Sequence, residues 1–326
     1  MRCTVFSSKR YDRQFLESAS GDHAFTFLEP RLTLDTAALA EGRPAACLFV
    51  NDDASADVVA KLAEVGVTFL VLRSAGFNNV DLDACREHGI RVARVPAYAP
   101  AGVAEHAVGL MLALNRHLHK AYHRVREGNF ALDGLLGFEM HGKTAGVVGT
   151  GLIGAACCRI LCGFGMRVLA HDPNPDDTLD VEYVDLDTLL GQSDVVSLHA
   201  PLLPATRHMI NADALATMKD GAMLINTSRG ALVDTPAVID ALKTKKLGAL
   251  GLDVYEEEDG LFFDDHSADI LDDDTFARLL TFPNVLITGH QAFFTREALD
   301  QIARTTVANL DAFEAGGECK NEVRAE

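Results

Sequence analysis

The residues best suited to chemistry in this 326-residue chain gather from position 149 onward. AGVVGTGLIG sets Gly149, Gly151 and Gly154 in GxGxxG spacing, between an apolar run and a helix-compatible one. There the first glycine permits a tight turn and the second lets the backbone approach a pyrophosphate. The third lets the helix lie close to a sheet, so the pattern points to nucleotide binding by residues 149–154. Thr150, Leu152 and Ile153 complete that turn. MRVLAHD then ends in Asp172, 21 residues beyond Gly151. Its carboxylate can accept hydrogen bonds from an adenine-ribose diol and repels a phosphate on the same ribose. Pro173 and Asn174 offer no cation in its place, which favours NAD over NADP.

Three further positions carry groups for handling an acid. INTSRGALVDT presents Arg229 after an apolar run, where a planar guanidinium can hold a carboxylate through two charge-assisted hydrogen bonds. GLDVYEEE offers Glu258, although spacing alone does not separate it from Glu256 and Glu257. VLITGHQAFF offers His290, whose imidazole can give or take a proton near neutral pH. Taken one at a time, each is equally compatible with a surface ion pair or a satisfied core residue.

The elements that must position these groups read as two α/β stretches. Short apolar runs at 4–6, 24–28, 46–50, 67–72 and 90–95 alternate with polar, helix-compatible segments. A Pro-containing opening at 96–100 then leads into a pattern with Val103, Ala107, Leu110, Met111, Leu114 and Leu118 on one face, which predicts one long helix. From 144 the rhythm restarts as TAGVVG, MRVLAHD, DVVSLHA, AMLINTS and ALGLDVY with helical runs between, as in an open, mostly parallel sheet. Thr235 before Pro236 reads as a helix entrance, with Thr235 as the cap. Residues 256–274 are acidic and irregular, an exposed excursion. A helical pattern returns at 296–315, before a polar tail.

Composition narrows the classes. With 29 basic against 47 acidic residues, the net charge of −18 disfavours a nucleic-acid partner. Seven cysteines leave one over in any complete disulfide scheme and form no zinc or cluster motif, so reduced thiols in a cytoplasmic protein and no metal are expected. The opening MRCTVFSSKRYDRQF reaches polar residues too soon for a signal core and no uncharged apolar stretch approaches a membrane span, so a soluble protein without a membrane partner is expected.

GTGLIG, NTSRG, DVYEEE and GHQAFF occur in this order, with RSAGFNNVDLDA at 73–84, VPAYAP at 95–100, AEHAVG at 104–109 and an excursion opening GLFFDD at 260. Together these motifs resemble the D-isomer-specific 2-hydroxyacid dehydrogenases over nearly the whole chain, and within them the bacterial fermentative, NAD-dependent D-lactate-forming branch. The resemblance implies a Rossmann-type doubly wound parallel sheet plus a second, flavodoxin-like α/β substrate domain. The NAD-binding domain is expected at 99–296 and the substrate domain at 1–98, completed by 297–326, with a homodimer or homotetramer as the assembly.

The same resemblance implies a role for each residue. Arg229 binds the carboxylate of a 2-oxo acid and helps polarise its ketone, His290 is the acid–base group, and Glu258 orients and supports the imidazole. Ser74, Ala75 and Gly76 belong to a loop whose amides also bind the carboxylate, while Tyr98 and Phe293 border the small 2-substituent. His199, Ala200, Pro201, Thr227, Ser228 and Asp253 join the cofactor contacts. For Tyr98 and Phe293 plain core packing is the alternative, and for Asp253 a strand-end cap. His106 reads as structural or cofactor-proximal, and His171 as lying beside adenosine. The implied reaction is reversible NADH-linked reduction of pyruvate to D-lactate. Two alternatives remain open: a broader enzyme acting on phenylpyruvate, oxaloacetate, glyoxylate or branched 2-oxo acids, and an NAD-sensing, corepressor-like interaction protein.

Overall fold

Runs of Val, Leu, Ile and Ala without polar alternation suit strands covered on both faces, and the computed structural model, which describes residues 1–325, places them in two separate sheets. The chain divides into two compact units, one formed by Met1–Ala99 with the segment from Phe294 onward, the other by Pro100–Phe293.

In the first unit, strands β1 (Arg2–Val5), β2 (Ala24–Phe27), β3 (Ala45–Leu48), β4 (Phe69–Leu72) and β5 (Arg91–Ala93) are parallel, in the order β2-β1-β3-β4-β5. Helices α1 (Arg10–Ala19), α2 (Ala56–Glu64) and α3 (Leu82–Glu87) connect them. One face of the sheet packs on Leu48, Val58, Leu62, Leu70 and Val92. The other packs on Cys3, Val5, Cys47 and Val71, together with Leu310 and Phe313 of the carboxyl-terminal helix.

The second unit opens with helix α4 (Pro100–Asn115) and helix α5 (Leu118–Arg126). These replace the single long helix predicted from the apolar pattern. His117 sits in the left-handed region at φ 51°, which ends the first helix, and Leu118 starts the second as an exposed residue rather than continuing the buried face. Asn115 explains the stop: its side-chain amide donates to Phe138 O and accepts from Phe138 N, both at 2.8 Å, so a later loop completes the helix end.

Strands β6 (Thr144–Val148), β7 (Arg167–His171), β8 (Glu182–Tyr183), β9 (Val195–Leu198), β10 (Ala222–Asn226), β11 (Leu247–Leu252) and β12 (Val285–Ile287) form an all-parallel sheet ordered β8-β7-β6-β9-β10-β11-β12. Counted within this unit the order is 3-2-1-4-5-6-7, the Rossmann arrangement, whose direction reverses between β6 and β9. Helices α6 (Leu152–Gly163), α7 (Leu186–Gln192), α8 (Ala212–Thr217), α9 (Thr235–Lys243) and α10 (Asp274–Leu280) cover it together with α4. The cap of α9 is Asp234, not Thr235: the Asp234 carboxylate accepts from Ala237 N at 3.2 Å, which moves Thr235 to the first helical position, where it is buried.

The chain returns to the first unit through helix α11 (Arg296–Glu314), and strand β13 (Glu322–Val323) then pairs antiparallel with β5. No helix among the described residues is long and apolar enough to cross a membrane.

Candidate active site

The glycine turn leaves the sheet at its switch point. Gly149 N donates to His171 O at 2.8 Å and His199 N to Val148 O at 2.7 Å, so the exits of β7, β6 and β9 lie side by side. Gly149 has φ +89°, and a Cβ there would come within 2.7 Å of His199 O. A Cβ at Gly154 would overlap Gly149 O at 1.8 Å, whereas one at Gly151 would meet nothing within 4 Å. The backbone is thus close-packed behind the turn and open in front of Gly151. There α6 begins with no side-chain cap and no acidic residue in its first turn, leaving its first amides to an anion. Leu152 is 67% exposed at that helix end, while Ile153 packs against the core.

Asp172 closes the turn from β7, accepting Thr150 N at 2.6 Å on one oxygen and Asn174 N at 2.8 Å on the other. Thr150 is buried, and its hydroxyl accepts from Tyr183 at 3.0 Å. His171, beside Asp172, instead directs Nδ1 to Val184 O at 3.1 Å.

Two buried polar atoms just past the ends of β9 and β10 find no partner within the protein: His199 Nδ1 and Thr227 Oγ1. Burial lowers the His199 imidazole to about 4, and its Nε2 meets the Ser197 hydroxyl at 2.9 Å. Ser228 donates its hydroxyl to Ala200 O at 2.7 Å, tying the exit of β10 to that of β9 beside the exposed Pro201. An open anion-accepting helix end after β6, a carboxylate after β7 and orphaned polar atoms after β9 and β10 suit a dinucleotide.

The acid-handling groups come from the exits of β10, β11 and β12. Asn226 shapes the first: its amide donates to Arg229 O at 2.8 Å and accepts from Ser228 N at 3.0 Å. The Arg229 side chain is exposed, bonded through Nη1 to Ser228 O at 2.7 Å. Behind it Gly230 lies against the next strand exit, where a Cβ would fall 2.0 to 2.3 Å from Tyr255 and Glu256 backbone atoms.

The three glutamates after β11 have different fates. Glu256 pairs with Arg207 at 2.8 Å and His208 at 2.7 Å, and Glu257 is exposed. Glu258 meets His290: Oε1 lies 2.8 Å from Nδ1, while Oε2 accepts Tyr255 N at 3.0 Å. Both carboxylate oxygens are thereby fixed, and Nε2 of His290 is the ring nitrogen left to face a reacting group.

Asp253, fully buried, organises the segment carrying His290. Its carboxylate accepts from the Thr288 hydroxyl and from the amides of Gln291 and Ala292 at 2.9 and 2.8 Å, and its backbone oxygen accepts His290 N at 2.7 Å. Burial alone would raise this carboxyl, but the hydrogen bonds from His106, Thr288, Ala292 and Gln291 outweigh it and hold the group below its ordinary value. His106 reaches the Thr288 hydroxyl at 3.0 Å from α4.

His290 itself adopts φ 53°, and two aromatic rings flank its imidazole: Phe293 edge-on at 6.5 Å, and Phe263 at 5.5 Å. Phe263 comes from the acidic excursion and is also left-handed, at φ 72°. Sequence reasoning gave roles to neither Phe263 nor Asn226, Gly230 and Thr288. Their only signal was membership in the motifs GLFFDD, NTSRG and ITGH. In the first unit, Ser74 is buried with Ala75 and Gly76 half-buried beside it, and Tyr98 is half-buried near the unit's end.

A Rossmann sheet carrying these groups defines an NAD-binding oxidoreductase class. Residues 108–292 match the family described as D-isomer specific 2-hydroxyacid dehydrogenase, NAD binding domain. The chain is 54% identical to D-lactate dehydrogenase of Escherichia coli strain K12, covering 99% of this chain and 100% of that protein. The apo structure of that bacterium's D-lactate dehydrogenase superposes with a TM-score of 0.92 at 52% identity, over 99% and 100% of the two chains. A structure described as the pyruvate reductase of Chlamydomonas reinhardtii gives 0.95 at 49% identity, over 98% of each. The chain belongs to the D-isomer-specific 2-hydroxyacid dehydrogenases.

Proposed function

We propose that this chain is an NAD-dependent D-lactate dehydrogenase that reduces pyruvate reversibly to D-lactate. The observation that carries the reading is the pairing of His290 Nδ1 with Glu258 at 2.8 Å, which leaves Nε2 as the nitrogen for the reacting oxygen. NADH, when bound, supplies a hydride to the carbonyl carbon. The turn 149–154 and Asp172 would hold its pyrophosphate and adenine ribose, with His199, Ala200, Pro201, Thr227, Ser228 and Asp253 beside the remainder.

Arg229 binds the substrate carboxylate with its guanidinium fork, as do the amides of the Ser74–Gly76 loop. As the carbonyl oxygen becomes an alkoxide, His290 donates the Nε2 proton to it. Glu258, bonded to Nδ1, fixes the ring's tautomer and keeps it from turning. In the reverse direction neutral His290 takes the 2-hydroxyl proton. Phe293, edge-on to His290, and Tyr98 limit the room beside the 2-substituent, which favours a methyl group. The strand order 2-1-3-4-5 of the first unit supports a flavodoxin-like substrate domain.

Replacing His290 by Ala tests this mechanism. Turnover of pyruvate should fall by about a thousandfold or more, while the dissociation constant for NADH, read from its fluorescence, stays within about twofold. A variant that keeps unmutated turnover removes His290 from the reaction.

A further inference from the structure

The loop after β4 is anchored through its backbone carbonyls. Three successive carbonyls in it are occupied: Ser74 O accepts Val95 N at 3.1 Å, Ala75 O accepts Arg94 Nη1 at 2.6 Å, and Gly76 O accepts the Ser74 hydroxyl at 2.8 Å. All peptide bonds here are trans, so a carbonyl held to one side directs the N–H of the same plane to the other. The amides of Ala75, Gly76 and Phe77 are therefore turned away from these anchors. Among the described residues, none of the three donates to a protein acceptor. Three adjacent free amides, with their carbonyls withdrawn, suit an anion.

Of the anchors, only Arg94 is a charged side chain, and it is itself firmly set. Its guanidinium lies over the Phe77 ring, 5.1 Å from the centroid. Its backbone is held on both sides, N to Asn321 O at 3.1 Å and O from Asn309 Nδ2 at 3.0 Å. It also neutralises the negative end of the Ala75 carbonyl, which would otherwise repel an anion.

We propose that Arg94 is a positioning residue for the substrate carboxylate: by holding the Ala75 carbonyl it presents the Gly76 amide, and with it the Ala75 and Phe77 amides, as a preformed anion site. This inference rests on the reading that the Ser74–Gly76 loop receives the carboxylate. Arg94 acts on the substrate through the peptide plane and not by contact.

The test uses the full chain with NADH and pyruvate, comparing Arg94→Leu and Arg94→Lys. Loss of one amide–anion hydrogen bond corresponds to about a tenfold rise in KM for pyruvate in Arg94→Leu. kcat should stay within about threefold and NADH affinity should be unchanged. Arg94→Lys, which keeps one donor, should recover much of the difference. The rise should persist in 0.5 M KCl, where the Debye length falls to about 4 Å and a distant charge would no longer be felt.

A KM within twofold of the unmutated chain, or a rise that vanishes in KCl, overturns the role of Arg94. Oxamate, a pyruvate isostere, separates the two levels. If the unmutated NADH complex does not bind it, the carboxylate reading falls and this inference with it. If the unmutated chain and Arg94→Leu bind it equally, Arg94 alone is removed.

Discussion

At the scale of single residues, the environments of two histidines give them opposite duties. His290 has the Glu258 carboxylate on Nδ1, which in the proposed reaction leaves Nε2 for the proton transfer. His199 has a hydroxyl on Nε2 and a buried, unpartnered Nδ1, and burial lowers it to about 4, so it is held neutral. The second arrangement bears on acid stability. In the unfolded chain an imidazole titrates near 6.5, so between about pH 6.5 and 4 the unfolded state takes up a proton that the folded state refuses. Stability therefore falls as the pH drops through that window, by about 3 kcal/mol when fully developed. Thermal unfolding of His199→Gln should show a smaller loss of Tm between pH 7 and pH 4.5 than the unmutated chain. Equal losses would mean that the ring charges without penalty.

At the scale of elements, the parallel strands were legible because burial on both faces writes them as apolar runs, as in FLVL of β4 and AMLI of β10. The turn at 149–154 was legible because Gly149 and Gly154 answer to fixed backbone atoms, His199 O and Gly149 O. Features set by distant partners were not. The stop at His117 depends on Phe138 reaching back to Asn115, and no helical periodicity encodes that. Asp234 takes the cap from Thr235 because both are good caps and only the path of the preceding chain chooses between them. Glu256, Glu257 and Glu258 sit on a segment without a period, and tertiary partners alone tell them apart. Phe263 was hidden for the same reason, brought to His290 by an irregular excursion. The packing of Gly230 on Tyr255 and Glu256 couples the strand exit bearing Arg229 to the one bearing Glu258. Gly230→Ala should force these exits apart and lower kcat/KM for pyruvate by about a hundredfold or more, with NADH affinity nearly intact. Unchanged kinetics would show that the two exits move independently.

At the scale of the whole molecule, a net charge of −18 surrounds a site proposed to take two anionic ligands. Part of that charge sits on the exposed excursion, where Asp264, Asp265, Asp269, Asp272 and Asp274 face solvent. At physiological ionic strength the Debye length is about 8 Å, so such charges oppose the ligands weakly, while in the proposed site Arg229 and the backbone amides act at contact distance. Family membership establishes the NAD-binding domain and the class of chemistry. The substrate and the face of the carbonyl that receives the hydride are the central proposal. The most direct measurement is incubation of the purified chain with NADH and pyruvate near neutral pH at physiological ionic strength, followed by separation of the lactate enantiomers. The account predicts D-lactate formed in step with NADH consumed; predominant L-lactate, or no lactate while NADH still binds, would contradict it.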